Sequence, residues 1–136
     1  MTRRAINPAH MYNAVQFGFS HAVESSGNRL VHLAGQVAWD AAGTLVGAND
    51  LAAQCEQVFR NLTEVLSECD MTPADVVRLR TYVVDYSPDK LGVIGAAIGK
   101  FYGDTTPAAN TLLGVASLAM PEFLIEVEAT AVAPAR

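Results

Sequence analysis

Long apolar runs, cysteine and positive charge are all scarce in this sequence of 136 residues. No run of about 18 apolar residues occurs, so no membrane-spanning helix is expected. Residues 1–16 carry charge without an apolar segment, which is not the pattern of a secretory signal, and we expect a cytoplasmic protein. Cys55 and Cys69 would stand about 21 Å apart along one helix, too far for a disulfide, and they fit no metal-ligand spacing.

Charge of either sign is sparse, and the balance is acidic. Charged residues make up 17% of the chain and the formal net charge is −5. Arg3 and Arg4 form the only basic cluster, so binding to phosphate backbones is not expected. The hydrophobic fraction of 51% exceeds what a monomer of this size needs to bury, which indicates a single domain over residues 1–136 that self-associates.

Standard catalytic signatures are missing as well. The sequence contains no G-x-S-x-G, H-E-x-x-H or C-x-x-C motif and no phosphate-binding loop. The three histidines are scattered along the chain, which favours packing or surface roles over metal binding. We therefore expect neither a metal nor a cofactor, and motifs alone indicate only an oligomeric α+β protein.

Hydrophobic periodicity predicts the order β-β-(β)-α-β-α-β-β after an irregular N-terminal arm over residues 1–15. The predicted strands cover residues 17–23, 29–37, 75–85, 110–118 and 123–132, with a short edge strand at 44–47. The predicted helices cover residues 50–67 and 89–102. The first two strands should form a hairpin, and two helices should cover one face of a mixed sheet. The other sheet face would stay apolar and uncovered, which favours homo-oligomerisation.

The clearest element is the first helix, for which Asp50 is the expected N-cap. Apolar residues recur along it at three- and four-residue steps, so this stripe should lie on the sheet. Gln54 and Gln57 fall on the opposite side and are expected to face water. The second helix contains three glycines, each of which weakens a helix by about 1 kcal/mol relative to alanine unless close packing compensates.

Two carboxylates stand out in the last quarter of the chain. Side chains alternate along a strand, so Glu126 and Glu128 share one face while Ile125 and Val127 share the other. The two carboxylates are about 7 Å apart along the strand. They mark either a solvated sheet face or the floor of a site, and periodicity alone favours neither.

Blocks of sequence across nearly the whole chain resemble one family. These blocks are GFSHAV at 18–23, LAGQ at 33–36, the helix at 54–66, VVRLRTYVVD at 76–85, the segment 107–118 and IEVEA at 125–129. In this order they resemble the Rid family, the reactive intermediate deaminases, also called YjgF and formerly L-PSP endoribonucleases. The resemblance implies a chorismate-mutase-like α+β fold and a homotrimer, with a central barrel of sheets, helices outside and clefts between subunits.

Active members of the Rid family hydrolyse imines and enamines such as 2-aminoacrylate. The resemblance implies that a strand arginine binds the substrate carboxylate and that a glutamate near the C-terminus positions or activates water. Asn110 stands at the arginine position and Glu126 at the glutamate position. The chain therefore resembles an arginine-lacking subgroup, and 2-imino acids should be poor substrates.

Other family positions also differ here. Phe19 replaces the usual tyrosine, Leu112 replaces a small or thiol residue, and Gly95 replaces an asparagine of the second helix. Ala34 replaces the serine of the Ser-Gly-Gln motif and leaves Gly35 in place. These changes imply a more apolar cleft than in the deaminases.

Three functions remain open at this point. The first is hydrolysis of a small imine, enamine or carbonyl compound, in which Glu126 handles water and Phe19, Gly35, Asn110 and Leu112 shape the pocket. The second is non-catalytic binding of a small metabolite or partner protein in the same clefts. The third is RNA cleavage or translation inhibition, which the acidic charge disfavours.

Overall fold

Two sheets and two long helices make up the computed structural model, which describes residues 2–136. The strands are β1 (Thr2–Ile6), β2 (Ala22–Ser26), β3 (Arg29–Gln36), β4 (Val76–Val84), β5 (Ala109–Val115) and β6 (Ile125–Ala133). The helices are α1 (Leu51–Glu68) and α2 (Leu91–Tyr102), and single 3-10 turns occur at Val15–Phe17, Pro73–Asp75 and Pro88–Lys90. The α+β class with two helices is as predicted.

The main sheet has the strand order β3-β6-β4-β5. β4 and β5 run parallel, and α2 makes the crossover that a parallel pair requires. The other neighbours are antiparallel. β5 and β6, which follow each other in the chain, are therefore not neighbours, because β4 lies between them. β1 and β2 form a separate antiparallel ribbon.

The helix α1 begins where the sequence predicts. The side chain of Asp50 accepts a hydrogen bond from the amide of Ala53 at 3.1 Å and caps the first turn. The apolar stripe is buried, and Leu62 and Leu66 are fully inaccessible to solvent. Helix α1 thus covers the sheet through the face that its periodicity indicates.

The expectation that Gln54 and Gln57 face water is wrong. Gln54 is fully buried and Gln57 is 7% exposed. The Gln54 amide donates to the carbonyls of Gly47 and Glu122 at 3.0 Å each and accepts from the amide of Leu124 at 2.9 Å. Because all three partners belong to loops, Gln54 ties these loops to α1, and its burial leaves no polar group unsatisfied.

The N-terminal segment also differs from expectation. Thr2–Ile6, predicted to be irregular, is strand β1 and pairs with β2. The guanidinium of Arg3 donates to the carbonyls of Val76 and Thr106 at 2.9 Å each, which fixes the ribbon to the main sheet. Such contacts join distant parts of the chain, so local periodicity does not reveal them.

The strand predicted over residues 17–23 is wrong over most of its length. Val15–Phe17 is a 3-10 turn that ends at Gly18, whose φ of 86° is a left-handed conformation. The strand begins only at Ala22 and pairs with β1, so the predicted hairpin with β3 does not form. The alternation of aromatic residues at 17–21 reflects a loop cluster rather than a strand. The predicted edge strand at 44–47 is a single bridge between Trp39 and Leu45.

The two faces of the main sheet differ sharply in cover. Under the helices, Leu79, Thr81 and Val83 of β4 are fully buried. On the other face, Leu30 is 60% exposed and Leu113 is 47% exposed. The predicted uncovered face is therefore present in the chain, but it is mixed rather than apolar, because charged side chains of β4 and β6 share it with these leucines. Over residues 2–136, no helix has the length and apolarity to cross a membrane.

Candidate functional site

The main sheet divides the candidate residues into two groups. In the parallel ladder Asn110 is paired with Leu79, which is buried under the helices, so Asn110 lies on the helix side. Leu112, two positions along the same strand, shares that side. Glu126 alternates with the buried Ile125 and Val127 and lies on the opposite face. Within one chain the sheet therefore separates Asn110 from Glu126.

Asn110 lines a cavity of about 490 Å³ at the outer edge of β5. Phe19, Leu112 and Gly95 line the same cavity, so three of the residues named from the sequence meet Asn110 there. The lining includes no charged side chain among the described residues. The part of this cavity that one chain forms is thus uncharged.

A buried hydroxyl holds the amide of Asn110. Thr81 on β4 is fully buried, and its Oγ1 donates to Oδ1 of Asn110 at 3.1 Å. Sequence reasoning did not single out Thr81. The register of β4 against β5 brings these side chains together. It pairs Thr81 with Leu112, which lies two positions after Asn110 on the same strand.

An aromatic cluster forms the mouth of the cavity. Tyr12 is 60% exposed and Phe17 is 49% exposed. The Tyr12 ring centroid lies 6.4 Å from those of both Phe17 and Phe19 and 4.7 Å from that of His21. His21 Nε2 donates to the carbonyl of Tyr12 at 2.9 Å, which holds the two segments of the cluster together.

Ser20 anchors this cluster to the sheet. It is 1% exposed, its hydroxyl donates to the carbonyl of Pro107 at 2.6 Å, and its amide donates to the carbonyl of Ala108 at 2.9 Å. Gly18, in its left-handed conformation, passes close to Ile98 of α2, where an added Cβ would lie 3.3 Å from Cγ2. These contacts hold Phe19 between α2 and β5.

The second group of candidates is Glu126 and Gly35. The Glu126 side chain lies over the backbone of Gly35, so closely that a Cβ added at Gly35 would lie 2.9 Å from its Cγ. Only glycine leaves this space free. Burial, and secondly the negative charge of Glu128, raise the pKa of the Glu126 carboxyl above its ordinary value.

Tyr82 completes this second group. It is paired with Glu126 in the antiparallel ladder, and its hydroxyl donates to the carboxylate of Glu128. This hydrogen bond is the main reason why the pKa of Tyr82 is raised. The alternation of β4 placed Tyr82 on the uncovered face, but its position beside the two glutamates depends on strand register.

Metal binding finds no support in the described part of the chain. Residues 2–136 contain no group of three or more histidine, cysteine, aspartate or glutamate side chains arranged to hold an ion. Cys55 and Cys69 are free, and burial raises the pKa of the Cys55 thiol to about 11. A thiol with this pKa is protonated at neutral pH and is a weak nucleophile.

A separate groove of about 540 Å³ lies between the outer sides of α1 and α2. Phe59 and Phe101 are among its lining residues, and their ring centroids are 5.0 Å apart. Its edge carries an exposed ion pair of 3.1 Å between Lys100 and Glu56. None of the candidates named from the sequence lines this groove.

Known proteins resemble this chain in sequence and in fold. The family model described as Endoribonuclease L-PSP matches residues 9–133. Protein DfrA of Myxococcus xanthus is 28% identical over 133 residues, which is 97% of each chain. The crystal structure of YyfB from Yersinia pestis, described as a protein of unknown function of the conserved Rid protein family, is 60% identical. It aligns with a TM-score of 0.95 over 98% of this chain and 100% of its own.

A more distant structure has the same fold. Rv2704 of Mycobacterium tuberculosis, described as a member of the YjgF/YER057c/UK114 family, is 26% identical, with a TM-score of 0.63. The alignment covers 97% of this chain and 100% of the mycobacterial chain. The sheet with two helices is thus common to proteins that differ at most positions.

Proposed function

Because this chain belongs to the Endoribonuclease L-PSP family, also called the Rid or YjgF family, we propose that it hydrolyses a small imine or enamine in clefts between subunits. The observation that carries the proposal is the carboxyl of Glu126, held over Gly35 with a raised pKa. A raised pKa brings a carboxyl nearer to the range in which it exchanges protons at working pH.

The chemistry requires water and proton transfer. In hydrolysis of an imine, the water oxygen bonds to the imine carbon and the carbon–nitrogen bond breaks. Ammonia departs, and a carbonyl compound remains. An enamine reaches the same path after protonation at carbon. Glu126 is proposed to take a proton from the attacking water and to return one to the departing nitrogen.

The separation of Asn110 from Glu126 supports a cleft made by two chains. The sheet prevents both residues of one chain from facing one ligand, whereas Glu126 of one copy could meet the Asn110 cavity of a neighbour. The exposed leucines of the uncovered face, Leu30 and Leu113, are the surface that such an association would bury. A homotrimer is therefore part of the proposal.

The proposed substrates are imines without a carboxylate. Asn110 is neutral and offers hydrogen bonds only, so it cannot supply the charge-assisted, bidentate contact that a guanidinium gives a carboxylate. Loss of a buried charge-pair contact weakens binding by about 2–5 kcal/mol. 2-Imino acids such as 2-aminoacrylate should therefore react slowly.

The test compares two kinds of freshly generated imine. An amine oxidase supplies carboxylate-free imines and an amino-acid oxidase supplies 2-imino acids, and disappearance of the imine is followed with and without the protein. We expect acceleration for the first kind and little for the second. Glu126→Gln should lower the rate by about 10²–10⁴-fold, while Glu24→Gln, a remote surface change, should not.

The opposite substrate preference, or full activity of the Glu126→Gln protein, would contradict the proposed mechanism. A second candidate function, binding without catalysis, is favoured by the uncharged lining of the Asn110 cavity. It would appear as ligand binding with no acceleration for either kind of imine. RNA cleavage is disfavoured by the formal net charge of −5.

A further inference from the structure

The hydrogen bond between Thr81 and Asn110 determines which end of the amide is available to a ligand. From it we infer that the Asn110 cavity selects neutral ligands that present a hydrogen-bond acceptor, such as a carbonyl oxygen, on a flat apolar body. The inference rests on the proposed function only in that it treats this cavity as the ligand-binding half of the cleft.

The first step concerns the polarity of the amide. Oδ1 of Asn110 accepts from the buried hydroxyl of Thr81 at 3.1 Å. Within residues 2–136, no acceptor for the Asn110 NH₂ group is found. An amide nitrogen carries two donors and no acceptor. The group that Asn110 offers to the cavity is therefore a donor, and its natural partner is a ligand acceptor.

The second step concerns charge. The lining residues contributed by this chain are uncharged. Besides Asn110, the polar side chain among them is that of Tyr12, because Thr111 alternates with Asn110 and Leu112 and has its side chain on the opposite face of β5. A carboxylate that enters this cavity loses hydration without gaining a cation, which is costly. A ketone, aldehyde or neutral imine loses far less hydration free energy on entering the cavity. The surface that offers the hydrogen-bond donor therefore also favours neutral ligands.

The third step concerns shape. Aromatic rings of Tyr12, Phe17 and Phe19 lie on one side of the cavity, and the aliphatic side chains of Ile98 and Leu112 contribute to its lining. At Gly95, α2 presents bare backbone, and a Cβ there would meet nothing within 4 Å. Rings prefer aromatic and aliphatic neighbours of this kind. The volume of about 490 Å³ holds a ligand with one ring.

The test measures binding without turnover. Acetophenone, a neutral aromatic ketone, is compared with benzoate, an anion of the same size, by titration followed in NMR spectra of the assembled protein. We expect acetophenone to bind at least about tenfold more tightly than benzoate. The shifts should be largest at the methyl groups of Ile98 and Leu112 and at the side-chain NH₂ of Asn110.

Two substitutions at position 81 test the orienting role of the hydroxyl. Thr81→Val removes the donor and frees the amide to rotate, so the preference for acetophenone should fall about three- to tenfold. Thr81→Ser keeps the hydroxyl and should keep the preference. A structural role alone would lower stability in Thr81→Val without changing the ratio of the two dissociation constants.

A third substitution inverts the polarity without touching the buried position. Asn110→Asp places a carboxylate oxygen where the NH₂ group was, so acetophenone should bind more weakly and benzylamine, a cation, should bind more tightly. Asn110 is only half-buried on an edge strand, so this protein should fold even if Thr81→Val does not.

Three results would overturn the inference: benzoate binding as tightly as acetophenone, no binding of either probe in the cavity, or an unchanged preference in Thr81→Val and Asn110→Asp. None of them depends on catalysis. If the protein prefers acetophenone to benzoate but does not hydrolyse imines, the proposed function alone is rejected. If it hydrolyses imines but prefers benzoate to acetophenone, this inference alone is rejected.

Discussion

Because Gly35 has no β-carbon, the side chain of Glu126 occupies the space beside its backbone. A Cβ there would lie 2.9 Å from Cγ of Glu126, so Gly35→Ala should push the carboxyl aside. Since Glu126 is a flexible side chain, it can move at small cost. We expect the rate of imine hydrolysis to fall about tenfold or more, with a change in the free energy of unfolding below about 1 kcal/mol.

Gly92→Ala is the matched control for this substitution, because a Cβ at Gly92 meets nothing within 4 Å. It should leave hydrolysis unchanged and leave or slightly raise helix stability. Steady-state kinetics and urea unfolding of the two variants give the comparison. If Gly35→Ala were fully active, the placement of Glu126 over Gly35 would not matter to the reaction.

The raised pKa of Glu126 predicts how the stability of the fold depends on pH. At a pH between the ordinary pKa of 4.5 and the higher pKa of Glu126 in the folded protein, the folded protein keeps a proton on Glu126 that the unfolded chain has released. The free energy of unfolding therefore falls as the pH rises through this window. Glu126→Gln cannot titrate, so this part of the decline should disappear.

Urea unfolding at several values between about pH 4 and about pH 8 measures the effect. Glu68→Gln, at the exposed end of α1, serves as the control and should keep the decline. A pH profile of Glu126→Gln that coincides with that of the parent protein would show that Glu126 titrates normally.

Residue identities in the candidate site could be named from the chain, but their neighbours could not. Asn110, Glu126 and Gly35 lie in stretches that resemble a family, and each is found by counting along the sequence. Thr81 and Tyr82 act through strand register, and a shift of one residue would reverse their faces. Periodicity specifies faces within a strand and does not specify which strand lies beside it.

Helix α1 is the element on which the packing of the helix layer depends. Leu62 is fully buried at its centre, so Leu62→Ala should lower the free energy of unfolding by about 2–5 kcal/mol. Glu64→Ala, on the exposed side of the same helix, should change it by less than about 0.5 kcal/mol. Urea unfolding compares the two, and a loss below about 0.5 kcal/mol for Leu62→Ala would reject the packing described for α1.

The helices were predictable because their signals are local. An N-cap at Asp50 and apolar steps of three and four residues are sufficient to place α1. β1 and most of β2 lie outside the predicted strands because their pairing joins segments about twenty residues apart, and because polar residues such as Arg3 make no alternating pattern. The pattern of polar and apolar residues predicts Gln54 on the solvent side because its amide is polar, whereas in the fold three loop partners satisfy this amide and allow its burial.

On the scale of the whole molecule, the uncovered sheet face predicts assembly. The chain should form a trimer in solution, because Leu30 and Leu113 are otherwise exposed to water. Light scattering coupled to size-exclusion chromatography measures the mass. Leu113→Glu should weaken the trimer, whereas Val93→Glu, on the outer side of α2, should not.

A stable monomer of the parent protein at micromolar concentration would reject both the trimer and the shared cleft. Equal effects of the two glutamate substitutions would instead show that the interface lies elsewhere. Periodicity predicts the α+β class and the order of elements from β3 onward, apart from the short edge strand at 44–47, but not the ribbon of β1 and β2. The division of the candidate residues between two faces depends on the position of β4 between β5 and β6, which periodicity does not specify.

That division has a genetic consequence if the clefts form as proposed. One allele could damage the Asn110 half of the protein and another the Glu126 half, and each alone would be inactive. Around a threefold ring, every mixed trimer of the two products contains one junction where an undamaged Asn110 half meets an undamaged Glu126 half. The two alleles should therefore complement each other in one cell, whereas two alleles that damage the same half should not.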